Sequence, residues 1–113
     1  MAVTIYHNPR CITSRRTLAL LREKGVEPHI IEYLKTPYTA AQLQELLGQL
    51  KIPATKLLRK KEAAAAGIDP AKMTEAQLVA AMAKNPIAVE RPIVVNDGKA
   101  ALGRPPEAVL KVL

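Results

Sequence analysis

The stretch YHNPRCITSRR (6–16) surrounds the single cysteine of this 113-residue chain with cationic side chains. His7, Arg10, Arg15 and Arg16 all lie within five residues of Cys11, and the first acidic residue comes only after the stretch. Neighbouring positive charge favours the thiolate, which is the nucleophilic form of cysteine. The pattern therefore indicates a reactive thiol rather than the small buried hydrophobe that a free cysteine usually is.

The elements predicted on either side of Cys11 support this interpretation. VTIYH (3–7) is a short apolar run with β-branched residues, which predicts a buried strand, and Asn-Pro follows it. SRRTLALLREKG (14–25) predicts a helix that Thr13 or Ser14 could cap. Cys11 would then lie at a helix N-terminus, where unpaired N–H groups and the helix dipole lower a thiol pKa from about 8.5.

The inner face of this helix and the next strand complete a βαβ unit. Leu18, Leu21 and either Thr17 or Leu20 would face inward, and HIIEYL (29–34) predicts the second strand. Because a strand, a helix and a strand follow one another within about thirty residues, the two strands should be parallel and the crossover right-handed.

The middle of the chain, about 39–84, is predicted to be a helical insert. TAAQ (39–42) and TEAQ (74–77) have the spacing of capping boxes, with leucine periodicity after the first. ATKLLRKKEAAAAG (54–67) predicts a single helix that Gly67 ends.

The end of the chain predicts a return to sheet. RPIVV (91–95) and AAL (100–102) flank the hairpin-type turn NDGK, and GRPPEAVLKVL (103–113) closes as a short helix. A βαβ unit, a helical insert and a ββα unit in one domain over residues 1–113 resemble the thioredoxin-like α/β fold. That resemblance implies a cis Pro92 that faces the active loop.

Composition excludes several classes of function. One cysteine and two histidines cannot supply a zinc cage, so no metal is expected. The net charge of +7 comes with only three aromatic residues and no basic stripe, so no nucleic acid is expected. No apolar run approaches the roughly 18 residues of a membrane span, and no signal peptide is evident. We therefore expect a cytoplasmic protein without a membrane partner, and a monomer because no large apolar stripe stands out.

The chain lacks a second cysteine. In CITS, Ser14 stands where a Cys-x-x-Cys protein has its second thiol. A redox cycle through Cys11 must therefore take its second thiol from another molecule. Glutathione, acting as a co-substrate and not as a bound cofactor, is the expected cytoplasmic source.

YHNPRCITSR resembles the active-site signature of the glutaredoxin-dependent arsenate reductase family. The similarity continues in order through EYLKTP (32–37), LLRKKE (57–62), NPIAVERPIVV (85–95) and GRPPEAVL (103–110). It covers essentially the whole chain. One departure is Ile12, which follows the cysteine where the family more often has a small or polar residue.

The resemblance implies roles for the matching residues. Cys11 would be the nucleophile, His7 would help to lower its pKa, and Ser14 completes the catalytic candidates. Three arginines would bind the oxyanion: Arg59, Arg91 and Arg104. Local support is expected from Asn8, Thr13, Arg15 and Pro92.

The activity implied is reduction of arsenate to arsenite through the Cys11 thiolate, with glutathione and glutaredoxin as external thiol donors. Two alternatives remain open. The first is a glutathione-dependent thiol reductase with another substrate, for which Ile12 leaves room. The second is a non-catalytic regulator that binds RNA polymerase, although such redox sensors usually carry Cys-x-x-Cys.

Overall fold

The computed structural model describes residues 3–113, which form two compact units. The first consists of the chain up to Thr36 together with Arg91–Leu113, and the second is Pro37–Glu90. The helical insert predicted for about 39–84 lies within the second unit. The interpretation of the whole chain as one domain stays a prediction.

A four-stranded sheet forms the first unit and confirms the predicted α/β class. Its strands are β1 (Val3–His7), β2 (His29–Glu32), β3 (Ile93–Asn96) and β4 (Lys99–Leu102), in the order β2-β1-β3-β4. β1 is parallel to β2 and antiparallel to β3, and β3 is antiparallel to β4. The end of β1 therefore lies beside the beginning of β3, and these two strand ends adjoin the segments that carry Cys11 and Arg91.

Helix α1 (Ile12–Glu23) and a 3-10 helix (Pro106–Val112) accompany this sheet. Leu18 and Leu21 of α1 join β1, β3 and the 3-10 helix in one apolar cluster, which holds α1 against the sheet. Thr17 is the third inward residue, since it is fully buried whereas Leu20 is only partly so.

The start of α1 differs from the prediction. Neither Thr13 nor Ser14 is the N-cap; Cys11 itself occupies that position. The hydroxyl of Ser14 is instead bonded to His7 and Asn8, so it is not available to cap the helix. This shift places the thiol directly at the first free N–H groups of α1.

Two strand boundaries also differ. β2 ends at Glu32 because the N–H groups of Lys35 and Thr36 both donate to the Glu32 carbonyl at 2.9 Å, which forms a turn. β3 begins at Ile93, so Pro92 precedes the strand. The Arg91–Pro92 peptide is cis, as the thioredoxin-like resemblance implies, and Arg104–Pro105 is a second cis bond that the sequence did not predict.

The second unit contains α2 (Ala40–Leu50), α3 (Ala54–Leu57), α4 (Lys60–Ala65) and α5 (Glu75–Lys84). Both predicted capping boxes form, at Thr39 and Thr74. No helix within residues 3–113 is both long and apolar enough to cross a membrane.

The single helix predicted for 54–67 is wrong. The chain leaves the helical path at Leu58, which forms a β-bridge with Val89. Arg59 N–H donates to Ala88 at 2.7 Å, and Glu90 N–H donates to Leu57 at 2.8 Å. These bonds to a distant segment replace the helical ones and divide the sequence into α3 and α4.

Candidate active site

The loop between β1 and α1 is held by Asn8. This buried residue accepts a hydrogen bond from Cys11 N–H at its carbonyl and one from Arg10 N–H at its side-chain Oδ1, each at 3.0 Å. Both bonds turn the chain sharply before the helix. They fix the backbone of Cys11 at the entrance to α1.

Cys11 is a partly exposed free thiol at this helix start. Burial alone raises its pKa, but hydrogen bonds from Ser14 N–H, the Arg91 side chain and Thr13 N–H outweigh that effect, together with the charge of Arg91. The net result is a pKa below the ordinary value of a cysteine. Hydrogen bonds and positive charge that favour the anion produce a nucleophilic thiolate.

His7 and Ser14 form a buried pair behind the thiol. His7 Nδ1 lies 2.6 Å from Ser14 Oγ, and Asn8 N–H donates to the same oxygen at 3.0 Å. Burial is the main cause that lowers the pKa of His7, so its imidazole is neutral at pH 7. Ser14 also donates its backbone N–H to Cys11, and it therefore connects His7 to the sulfur. A direct role of His7 in lowering the pKa of Cys11 stays a prediction.

Two of the three predicted oxyanion-binding arginines meet in the first unit. Arg91 is partly buried and hydrogen-bonds the Cys11 sulfur. Arg104 is exposed, and its Nε donates to the Arg91 carbonyl at 3.0 Å. The tertiary contact between these residues brings a second guanidinium to the segment that carries Arg91.

Arg59 belongs to the second unit, where two carboxylates hold it. Its Nε lies 3.1 Å from Glu62 Oε2, and its Nη1 lies 3.1 Å from Glu90 Oε1. All three side chains are about three-quarters buried, so water screens these ion pairs less than it screens exposed ones.

The predicted supporting residues have different surroundings. Thr13 contributes its N–H to Cys11, and its carbonyl accepts from Thr17 Oγ1 at 2.8 Å. Arg15 is exposed and donates its backbone N–H to the Cys11 carbonyl at 3.0 Å. Pro92 is buried, and its ring, like Thr17, packs closely against Gly103.

Ile12, the departure from the family signature, is 58% exposed although it is apolar. It directly follows Cys11 and is the first residue of α1, so it exposes an apolar side chain at the start of that helix.

Tyr33 is a residue of this site that the sequence did not identify. It is fully buried, and its hydroxyl interacts with the side chains of Asn8 and Arg91. Burial raises its pKa, so the hydroxyl stays protonated. The available signal for Tyr33 was its residue type, since the chain has only three aromatic residues and this one lies in EYLKTP (32–37). The sequence pattern indicated only that it belongs to a strand.

Among residues 3–113, no group of three or more histidine, cysteine, aspartate or glutamate side chains could hold a metal ion. The chemistry of the described site is that of a thiolate beside the Arg91 guanidinium, with Arg104 bonded to the Arg91 backbone. Such a site can bind a small oxyanion and attack its central atom.

Comparison with known proteins agrees with this geometry. The ArsC family profile matches residues 6–112, which is nearly the whole chain. The chain belongs to the ArsC family. The fold is accordingly the thioredoxin-like one shared by that family.

Three ArsC relatives are informative. The uncharacterized protein YfgD of Escherichia coli is 50% identical, with 98% of this chain and 96% of YfgD covered. The arsenate reductase of Haemophilus influenzae is 41% identical over 100% of both chains. The solved arsenate reductase from Vibrio cholerae is 44% identical and superposes with a TM-score of 0.94, covering 100% of this chain and 98% of that one.

Proposed function

We propose that this ArsC-family protein is an arsenate reductase that uses Cys11 as its nucleophile. The observation that carries the proposal is the hydrogen bond between Arg91 and a thiol of lowered pKa at the start of α1. The full-length similarity to arsenate reductases of two other bacteria supports the choice of oxyanion.

In the first step, the Cys11 thiolate attacks the arsenic of arsenate and forms a sulfur–arsenic bond. One arsenate oxygen takes up protons from solvent and leaves as water. The thiolate and arsenate are both anions, so they approach only where positive charge offsets their repulsion. Arg91 and Arg104 supply that charge in fork-shaped donors that suit a tetrahedral oxyanion. We infer that Arg59 contributes as well.

The second step needs a thiol from outside, because Cys11 is the only cysteine of the chain. We assign this role to glutathione. Its thiolate attacks the Cys11 sulfur, a disulfide forms, and the electron pair of the sulfur–arsenic bond stays on arsenic. Arsenic(V) thereby becomes arsenic(III), and arsenite leaves after protonation by water. The two electrons come from the two thiols.

Glutaredoxin then restores the enzyme in our proposal. Its thiolate attacks the glutathione sulfur of the mixed disulfide, which releases the Cys11 thiolate. This scheme places the protein in a reducing compartment, the cytoplasm, and requires only a monomer.

The test is an assay of arsenate-dependent NADPH oxidation with glutathione, glutathione reductase and glutaredoxin. Wild type should turn over arsenate, and Cys11→Ser should not. Arg91→Ala should raise the KM for arsenate about tenfold or more, because a charge-assisted hydrogen bond to the oxyanion is lost. A folded wild type with a reactive Cys11 and no arsenate turnover would contradict the proposal.

The exposed Ile12 beside Cys11 favours a second candidate, a glutathione-dependent thiol reductase with a less polar substrate. This candidate predicts reduction of low-molecular-weight glutathione disulfides through Cys11 in the absence of arsenate. Ile12→Ser should then slow disulfide reduction while leaving arsenate turnover unchanged or faster.

A further inference from the structure

A groove of about 210 Å³ lies along one side of the loop that precedes Cys11. One wall is the loop itself, from His7 to Arg10. The other wall is the end of β2 and the turn after it, with Glu32, Leu34 and Lys35. Arg91 and Arg104, the proposed oxyanion-binding residues, do not line it, so the groove is separate from the proposed oxyanion site.

The charges of this groove form a distinct pattern. Arg10 and Lys35 are exposed cations, and Lys35 Nζ lies 3.6 Å from Glu32 Oε1. The Lys35 side chain is 78% exposed, so it can turn toward a ligand at little cost. Exposed apolar surface of Pro9 and Leu34 completes the lining. The groove thus offers two positive groups, one negative group and an apolar strip.

Glutathione carries the complementary set: two carboxylates, one ammonium and a short aliphatic backbone. Its carboxylates match Arg10 and Lys35, and its ammonium matches Glu32. A thiol compound that has no carboxylate and no ammonium group would make none of these contacts. Pockets that enclose a whole small ligand usually measure about 300–1,000 Å³, so this groove would enclose only part of the tripeptide and leave its thiol projecting.

The loop geometry places such a thiol near its target. The groove wall ends at Arg10, the residue before Cys11, and the Cys11 N–H is bonded back to Asn8 at 3.0 Å. Cys11 is therefore the next residue after the groove wall, at the end of the tight turn that begins at Asn8. An approach along the groove also leaves the oxyanion contacts at Arg91 undisturbed.

We propose that the groove between the 7–10 loop and the end of β2 is the glutathione subsite, with Arg10 and Lys35 binding its carboxylates and Glu32 its ammonium. The inference rests on the proposed function for the identity of the external thiol. It deepens that function by separating the residues that bind the oxyanion from those that bind the reductant.

The experiment uses the single thiol of the full chain. Cys11 is converted to its mixed disulfide with thionitrobenzoate, and release of the coloured thiolate is followed after addition of glutathione or of 2-mercaptoethanol. In this step the attacking thiolate bonds to the Cys11 sulfur, and the electron pair of the broken disulfide leaves with thionitrobenzoate. The rates of thionitrobenzoate release are divided by the concentration of the attacking thiolate before they are compared.

Arg10→Ala and Lys35→Ala should each slow the glutathione reaction about three- to fivefold, as expected for one partly exposed charge pair. Neither should change the reaction of 2-mercaptoethanol. Lys24→Ala is the matched control, because Lys24 is an exposed cation just beyond the far end of α1. It should leave both rates unchanged.

Equal slowing of both thiols would overturn the inference, because it would indicate a disturbed loop. An equal effect of Lys24→Ala would also overturn it, since net charge alone would then explain the rates. The experiment contains no arsenate. If the groove variants behave as expected but the wild type does not turn over arsenate, only the assignment of arsenate as substrate is contradicted. If the wild type turns over arsenate but the groove variants show no selective effect, only the glutathione subsite is contradicted.

Discussion

At the scale of single residues, the thiol is activated by several weak contributions and not by one strong partner. Ser14 N–H, Thr13 N–H and the Arg91 side chain all favour the Cys11 anion against the cost of burial. Two of these are backbone N–H groups, which no substitution other than proline removes. Arg91 is therefore the contribution that mutagenesis can separate.

Arg91→Ala should raise the pKa of Cys11, because both a hydrogen bond and a positive charge disappear. At about neutral pH, alkylation by iodoacetamide should slow about five- to tenfold. Arg91→Lys should restore part of the rate. The pH profile of alkylation measures the shift directly, and an unchanged profile in Arg91→Ala would contradict the assigned contact.

Tyr33→Phe should weaken the position of Arg91 without removing its charge. The buried hydroxyl interacts with Asn8 and Arg91, so its loss should raise the KM for arsenate a few fold and destabilise the fold by about 1 kcal/mol. Tyr38→Phe removes another buried tyrosine hydroxyl, in the second unit, and serves as the control. It should alter unfolding by urea but not the KM. Equal KM values in all three proteins would exclude a positioning role for Tyr33.

The sequence predicted some residues of the site and missed others, and the difference depends on the kind of signal that each residue gives. Cys11, His7 and Ser14 are close in the chain, so their proximity followed from spacing alone. Arg91 and Arg104 were assigned by resemblance, and their mutual contact depends on tertiary structure. Tyr33 could not be assigned, because a tyrosine in an apolar strand pattern looks the same whether its hydroxyl meets a site or only fills space.

At the scale of elements, the packing of α1 at Thr17 depends on a close approach at Gly103. A Cβ built at this residue would lie 2.5 Å from Thr17 Oγ1 and 2.7 Å from Pro92 Cγ. Gly103 N–H also donates to the Pro92 carbonyl at 2.9 Å. Three parts of the chain meet here: the end of β4, the segment that precedes β3, and helix α1. Only glycine leaves enough space for that contact.

Gly103→Ala should lower the free energy of unfolding by about 1–3 kcal/mol, because the added methyl group has no space. Gly48→Ala is the matched control, since a Cβ at Gly48 in α2 meets nothing within 4 Å. It should leave stability unchanged or raise it by up to about 1 kcal/mol. Equal stability of the two variants in urea unfolding would contradict the described contact.

The predicted elements succeed where the signal is local and fail where it is not. Both capping boxes depend on residues three apart, and both form at Thr39 and Thr74. The break between α3 and α4 depends on Val89, about thirty residues beyond Leu58. An alanine-rich run favours a continuous helix unless a distant segment competes for its hydrogen bonds, and no local pattern shows that competitor.

At the scale of the whole molecule, stability should depend on pH through His7. Its pKa is lowered in the folded protein from 6.5, so the unfolded chain binds the proton more readily. The resulting stability is fully present above about pH 6.5 and is lost as the pH falls through the folded-state pKa. Urea unfolding of wild type should therefore show decreasing stability below about pH 6.5, with a limiting slope of about 1.4 kcal/mol per pH unit from this group.

His7→Asn keeps a polar atom that can bond to Ser14 but cannot titrate in this range, so the decrease should be smaller in this variant. His29→Asn is the control, because His29 is exposed at the start of β2. It should follow the wild-type curve. If the stability of His7→Asn depends on pH in the same way as that of the wild type, other groups cause the acid sensitivity.

The order of strands within residues 3–113 has one more consequence. Because β1 and β3 are central, the two margins of the sheet are β2 and β4, and each has only four residues. β2 ends in Glu32 and β4 begins with Lys99, and short margins with charged ends are poor templates for adding a strand from another molecule. At high concentration the protein should therefore resist ordered aggregation through its sheet. The substitutions Glu32→Val and Lys99→Val, which each replace a charge with an apolar side chain, are where that resistance would first be lost.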